Sequence, residues 1–454
     1  MREGIASTVV VPAIFGLRGQ NIRAMVRELE RSQWLDADGM ADLQLRKLRD
    51  LLAYCHANFG FYRELWGRDF RSDDIGELAD LANLPVIGKP EVHELGRSVS
   101  RNALDLRRHS SGTSGEPTIV HVDARAHARS LAARFRCLGW HGIAVGAREA
   151  RFWGRRGASG MVERARDSLL NRLVVRPAEL ENPKIWRRLA RFRPTYLYGY
   201  FSLVDRLAGV PRPPGSNLAD LGTKAAVVTA EMSTHLERIA LAERLSVPVL
   251  NEYGCSEVDI IAFECPEGSL HVQAEKVLVE LVAQSSRSPG GDVVVTDLDN
   301  RAQPLVRYRV GDAAVAATAR CSCGRGLPSL ESVAGRSRDR YIRTRAGALI
   351  HVTDVVDAIM LVARAHGHVQ RFHIRQETPD RVRIGLDLGD GDRLTAGGFA
   401  DHLQRLLTDL AEGALTFELV RLDRHTGVAG AKRSYFSAYW DEPQPEKTTD
   451  AHHL

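Results

Sequence analysis

Ser110-Ser111-Gly112-Thr113-Ser114-Gly115-Glu116-Pro117, followed at once by the β-rich run Thr118-Ile119-Val120-His121-Val122, is the stretch on which the reading of this 454-residue chain turns. Its two glycines let the backbone turn tightly and aim N–H groups at one point, and the Ser and Thr hydroxyls around them add further donors. That chemistry suits a phosphate. It is not a Walker A loop, because G-x-x-x-x-G-K-[ST] is absent and Glu116 stands where a lysine would help. Taken alone, a Ser/Gly/Thr loop also serves as a plain flexible turn, so its meaning depends on what surrounds it.

Upstream, residues 20–105 read as amphipathic helices. Leu43, Leu45, Leu48, Leu51, Leu52 and Tyr54 fall near helical spacing, and LADLANLPVIGKPEV ends in a Pro-punctuated turn. Downstream, to about residue 330, short β-rich runs (TIVHVD, EARFW, PTYLYGY, KAAVVTA, VPVLNEYG, DVVVTDL) alternate with helical ones (AHARSLAARFRCL, PKIWRRLARF, STHLERIALAERL). Strands separated by helices predict α/β layers with largely parallel sheets, and residues 270–318 add a smaller β-rich part. After Gly335 the pattern restarts as a compact β–α–β–β–α–β set. The expected fold is therefore α/β: a large multi-layer N-terminal domain (1–335) with mixed and parallel sheets, then a small α+β domain (336–440). A polar tail (441–454) is expected to be disordered.

Composition narrows the function classes. With 44% hydrophobic and 26% charged residues, the chain can build sizeable cores, and at this length more than one. A net charge of +5 from 62 basic and 57 acidic residues, with no basic tail, gives nucleic-acid binding little support. Clusters such as Arg151, Arg155 and Arg156 are first read as solvated surface. No apolar run reaches the ~18 residues of a membrane span. The opening MREGIASTVVVPAIFGLRGQ loosely resembles a signal peptide, but Pro12 and Gly16 break its apolar run and no small-residue cleavage site follows. A cytoplasmic protein without membrane or nucleic-acid partners is expected.

Four later motifs give the loop its context. Ala230-Glu231-Met232 and Asn251-Glu252-Tyr253-Gly254-Cys255-Ser256-Glu257 come first. Pro304-Leu305-Val306-Arg307-Tyr308-Arg309-Val310-Gly311-Asp312 and Gly335-Arg336-Ser337-Arg338-Asp339 follow. In this order, with SSGTSGEPT, they resemble the motifs of the adenylate-forming superfamily. The wording YGCSEV, ECPEGSLHV, RYRVGD and CSCGRGLP is similar to its phenylacetate–CoA ligase branch, which includes relatives described as capsule-biosynthesis proteins. The resemblance covers nearly the whole chain.

The resemblance implies an enzyme that activates an acid with ATP as its acyl-AMP and releases pyrophosphate. Catalysis would be positioning plus charge stabilisation. Ser110, Ser111, Gly112, Thr113, Ser114 and Gly115 would hold the β- and γ-phosphates, with Ser256 near the α-phosphate. Glu257 would bind Mg²⁺, with a surface glutamate as the plain alternative. Asp312 would accept the ribose hydroxyls, Tyr253 beside Gly254 would stack on adenine, and Glu231 would line the nucleotide site. Arg336 would reach ribose or phosphates, or else serve as an interdomain salt bridge. In Gly427-Val428-Ala429-Gly430-Ala431-Lys432-Arg433, Lys432 is the candidate lysine for the transferring carboxylate and phosphate, although Ala431 replaces the family's glycine.

Cys265, His271, Cys321 and Cys323 offer three thiolates and an imidazole, a set suited to a closed structural Zn²⁺ site, with reduced loop cysteines as the alternative. Cys55 and Cys137 are expected to be buried and inert. Trp140, Phe152, Trp153, Tyr198 and Tyr200 are candidates to line the acid pocket, which makes an aromatic acid a fair first choice. The family passes its acyl group to CoA or a similar thiol, and some relatives use a carrier protein or an amine. Three alternatives stay open from the residues alone: an amide-forming enzyme, an unusual oxyanion substrate, and a non-catalytic nucleotide-binding relative. A homodimer is a further assembly to test.

Overall fold

The computed structural model of the protein describes residues 10, 13, 16, 19–99, 106–109, 118–153, 161–214, 217–283, 290–334, 341–347, 349–366, 369, 371–388, 398–422 and 436–438. The chain divides into two compact units: Met1–Ser233 with Leu241–Gly335, and Thr234–Ala240 with Arg336–Leu454.

In the first unit, β1 (Leu106–His109) and β2 (Ile119–Val122) form an antiparallel pair on either side of residues 110–117. The main sheet begins with β3 (Glu149–Phe152), β4 (Arg172–Val175), β5 (Tyr196–Tyr200), β6 (Ala225–Thr229) and β7 (Val249–Cys255). These five run parallel in the order β4-β3-β5-β6-β7. Parallel neighbours need a crossover, and each of the four connections carries a helix: Met161–Leu169, Lys184–Phe192, Phe201–Gly209 and His235–Leu245.

At β7 the rule changes. β7 pairs parallel with β6 on one side and antiparallel with β8 (Asp259–Glu264) on the other. The sheet then continues through β9 (Leu270–Val272), β10 (Val277–Val282), β11 (Gly291–Asp297), β12 (Tyr308–Ala316) and β13 (Ser329–Ala334). Their spatial order from β8 is β9-β13-β12-β11-β10, antiparallel throughout.

Strand alternation divides the packing. On one face Ala150, Phe152 and Leu197 meet Trp186, Leu189, Val204 and Leu207 of the crossover helices. On the other, Tyr196, Tyr198, Val227 and Leu250 meet Ala128, Ala132 and Cys137 of the helix Ala124–Trp140. The helix Ala37–Asn58 buries Leu48, Leu51, Leu52 and Cys55 against the antiparallel half, alongside Val277, Val293, Val295 and Tyr308. Each fully buried leucine contributes about 2 kcal/mol to holding that helix on the sheet. Leu43 to Tyr54 all lie on this one helix; Phe59 is then extended and a second helix, Gly60–Trp66, starts anew.

The second unit opens with the hairpin β14 (Tyr341–Arg343) and β15 (Leu349–His351), then the helix Val352–His366. β16 (Arg371–Thr378) and β17 (Arg381–Asp387) pair antiparallel. After the helix Phe399–Leu410, β18 (Thr416–Arg421) adds parallel to β17, and β19 (Phe436–Ala438) adds parallel to β16. Ile374, Ile384, Leu386, Leu403 and Leu407 are buried in this unit. Among the described residues, no helix is long and apolar enough to cross a membrane.

Gly199 shows how closely the parallel strands approach. A Cβ there would collide with the carbonyl oxygen of Phe152 on β3, which is backbone and cannot yield cheaply. Gly199→Ala should lower the unfolding free energy by at least about 2 kcal/mol in urea titration. A loss below about 0.5 kcal/mol would mean that the strands part more easily than this packing requires.

Candidate active site

The turn between β7 and β8 carries Ser256, Glu257 and Val258, and it lies where the parallel half of the sheet ends. Ligands of open α/β sheets gather outside such carboxyl ends. Gly254 is required by close approach, since a Cβ would strike the carbonyl oxygen of Asp259 across the hairpin. Ser256 is exposed and Glu257 is buried.

β12 completes the constellation. The Tyr308 hydroxyl donates to Glu257 Oε1 at 3.1 Å, and the Tyr253 hydroxyl donates to Asp312 Oδ2 at 3.0 Å. Burial, reinforced by the adjacent carboxylates, pushes both phenols up, so both remain donors. Two carboxylates about fifty residues apart in sequence are thus aimed by two tyrosines into one region of the first unit. Among the described residues, Glu257 Oε2 receives no hydrogen bond, which fits a carboxylate that takes a cation.

On the sheet face below the helix Ala124–Trp140 lies a belt of paired charges and aromatic rings. The Arg134 guanidinium grips Glu252 at 2.7 and 3.0 Å, and Tyr198 donates to Glu252 at 2.7 Å. The Tyr198 ring has Arg134 at 5.5 Å and Arg151 at 4.9 Å from its centroid. Trp153 stacks near Tyr198 at 6.2 Å and packs on Tyr200 at 4.4 Å. Glu149 takes hydrogen bonds from Arg151, Arg172 and Tyr196.

The cysteine and histidine set lies at another end of the sheet. Cys265 opens the β8–β9 turn, His271 is on β9, and Cys321 and Cys323 lie between β12 and β13. Because β13 pairs with β9, the two connections meet. The Cys265 and Cys321 sulfurs are 3.6 Å apart, and Cys323 Sγ is 3.2 Å from His271 Nε2. All four ligand atoms lie within 4.8 Å of one another. His271 Nδ1 is 3.0 Å from the Leu327 carbonyl, which fixes the proton on that nitrogen and leaves Nε2 facing the thiols.

No protein-family model matches the chain. It is 28% identical over 393 residues to a phenylacetate–coenzyme A ligase of Thermus thermophilus, covering 78% of this chain and 83% of that one. A phenylacetate–coenzyme A ligase of Pseudomonas putida is 25% identical over 390 residues, covering 81% and 85%. Over about four fifths of its length the chain is similar to phenylacetate–CoA ligases. In fold it is similar to a 2-hydroxyisobutyryl-CoA ligase solved in the postadenylation state with 2-HIB-AMP. That match has a TM-score of 0.74 at 18% identity, over 90% of this chain and 91% of that one.

The structure brings Tyr253, Gly254, Ser256, Glu257 and Asp312 together. Glu231 follows β6 and spends its carboxylate on the first turn of the helix Phe201–Gly209, accepting from Ser202 N at 2.7 Å and Ser202 Oγ at 2.9 Å. Ser110, Ser111, Gly112, Thr113, Ser114, Gly115, Arg336 and Lys432 lie outside the described residues. Of the aromatic candidates, Trp153, Tyr198 and Tyr200 cluster. Phe152 belongs to the opposite face, as alternation requires. Trp140 lies near the cysteine set, with its ring 6.0 Å from His271 and its indole N–H on Gln33. Tyr308 and Arg134 escaped the sequence reading. Tyr308 sits inside a quoted motif and was detectable there, whereas nothing local marks Arg134.

Burial alone would raise the Glu149 carboxyl, but Arg151 and Arg172 outweigh it and hold it at about 2, below its ordinary 4.5. A depressed folded-state value contributes stability above the unfolded value, and that contribution is lost as pH falls through the folded one. Between pH 4.5 and about 2, wild-type stability should therefore fall more steeply than that of Glu149→Gln. The difference is on the order of 3 kcal/mol across the window. Parallel curves in urea unfolding at stepped pH would remove this role.

Proposed function

We propose that this protein is an ATP-dependent, AMP-forming acid–CoA ligase that activates a small carboxylic acid, with an aromatic acid as first choice. A carboxylate oxygen of the acid attacks the α-phosphorus of ATP and pyrophosphate leaves. The CoA thiolate then attacks the acyl carbon and AMP leaves. The observation that carries this reading is the convergence of Glu257 and Asp312, each aimed by a tyrosine, in a chain similar to phenylacetate–CoA ligases.

Each residue has a task. Glu257 would hold Mg²⁺, which supplies charge stabilisation at the phosphates. Asp312 would accept the ribose hydroxyls, a bidentate task suited to a carboxylate. Residues 110–115 would cradle the β- and γ-phosphates, and Ser256, exposed at the turn, would face the α-phosphate. Trp153 and Tyr200 offer apolar faces for the acid. Lys432 and Arg336 belong to the part after Gly335, which we take as a mobile domain that brings Lys432 to the reacting carboxylate. The cytoplasm, which supplies ATP and CoA, suits this chemistry.

Acid-dependent pyrophosphate release, screened over aromatic, aliphatic and amino-substituted acids, tests the reading. At least one acid should give release without CoA and a thioester once CoA is added. Lys432→Ala should slow adenylation by about two orders of magnitude while ATP still binds. Silence with every acid would count against the ligase assignment, and amide formation in the absence of CoA would reassign the acceptor.

The Cys265, His271, Cys321 and Cys323 set fits a structural Zn²⁺. Zinc–sulfur bonds of about 2.3 Å give a tetrahedron with edges of about 3.8 Å, close to the observed spacing of the ligand atoms. All four positions would be filled by the protein, so this metal would hold two loops together and leave no site for substrate. Elemental analysis of purified protein should find about one zinc per chain. Cys321→Ser with Cys323→Ser should lose it and melt earlier. Metal-free wild type with unchanged melting would remove the zinc.

A further inference from the structure

Asp259 is the first residue of β8, and its φ of +67° places it in the left-handed region that few non-glycine residues enter. Its two carboxylate oxygens go to two different arginines. Arg108 Nη2 bonds Oδ2 at 2.7 Å, and Arg134 Nη2 bonds Oδ1 at 2.7 Å. Arg134 also holds Glu252, so a single guanidinium spans the hairpin from its β7 arm to its β8 arm. Between those arms lie Ser256 and Glu257. Lys276, itself buried, adds a third hold by donating to the Val258 carbonyl at 2.7 Å.

The two arginines come from either side of the phosphate-loop sequence. Arg108 is on β1, two residues before Ser110, and Arg134 is on the helix that follows β2. Asp259 therefore links the strand entering residues 110–117, the helix after them and the turn bearing Glu257. Burial alone would raise the Asp259 carboxyl, but Arg108 and Arg134 overcome it and hold it well below the usual carboxylate range. The four side chains are largely shielded from water and balance two positive charges with two negative ones, so the links are weakly screened.

We propose that Asp259, clamped by Arg108 and Arg134, is a positioning residue that fixes the Ser256–Glu257 turn relative to β1 and the helix Ala124–Trp140, elements that precede and follow residues 110–117 in the chain. The proposal rests on the ligase reading above for its kinetic consequence, and on the hydrogen-bond geometry alone for its mechanical one. Moving the adenylyl group of ATP from pyrophosphate to the substrate carboxylate would demand that the turn bearing Glu257 hold its position to a fraction of an ångström. A neutral side chain at 259 would leave Arg108 without this ion pair and Arg134 paired with Glu252 alone, and would free β1 and the turn to drift apart.

Asn and Gly at position 259 separate the charge from the backbone, because both tolerate a left-handed φ and neither carries a carboxylate. Asp259→Asn and Asp259→Gly should each cut kcat for adenylation at least about tenfold and raise the Mg²⁺ concentration for half-maximal rate, with the acid KM within about twofold. In both, amide hydrogen exchange should rise together at residues 106–109 and 253–258. Should the 259 variants fail to fold, Arg108→Gln, which spares the Arg134 hold, should show the same coupled rise in exchange and the same shift in Mg²⁺ demand. Wild-type kinetics in the Gly variant would assign the position to backbone shape and overturn the proposal. So would exchange that rises in only one of the two segments. If wild type releases no pyrophosphate with any acid, the ligase reading fails, and the exchange measurement alone still decides whether Asp259 couples β1 and the turn.

Discussion

A strand cannot be both a member of a wound parallel sheet and one arm of a tight hairpin unless its two edges obey different rules, and β7 meets that condition. One edge takes the parallel ladder of β6, and the other takes β8 through a three-residue turn. The close pass of Gly254 beside the Asp259 carbonyl makes the turn that tight. From this junction the crossover helices fall on one side of the sheet order and the antiparallel meander on the other. The turn itself stands where the first half ends, which is where α/β proteins present their chemistry.

The electrostatics follow from the same junction. Removing charges from water is costly unless each finds a partner, so the guanidiniums near the turn are committed in advance to Glu252, Asp259 and Glu149. That leaves neutral phenols, Tyr253 and Tyr308, as the donors to Asp312 and Glu257. A phenol orients a carboxylate without neutralising it. The carboxylates are thus directed toward the place where the proposed ligase chemistry would put a cation and the ribose hydroxyls. The cysteine and histidine set is built on another consequence of the topology, the pairing of β9 with β13, which brings its two loops together at a site apart from the turn.

Much of the fold was legible because its signals are local. Short β-branched apolar runs such as KAAVVTA and DVVVTDL marked strands, and Pro or Gly punctuation marked loops. The break between the helices Ala37–Asn58 and Gly60–Trp66 was less visible, since only the extended backbone of Phe59 divides them. Likewise, alternation places Phe152, at the end of β3, and Trp153, just after it, on opposite sides of the sheet, although which side would be core and which would face Tyr198 depended on the helices that cover them.

The sequence by itself determined the layered α/β class, the order of motifs and the chemical inventory: Glu257, Asp312, the loop hydroxyls and the three cysteines with one histidine. Those are properties of residue type and spacing along one dimension. Only the tertiary structure decided that Tyr308 would hold Glu257, that Glu231 would be spent on capping Ser202, and that Arg108 and Arg134 would share Asp259. These partners are separated by up to 151 residues, and a hydrogen bond over such a distance exists only after the sheet order has been set. Local propensity carries no term for sheet order, because it is fixed by which apolar faces can be buried together.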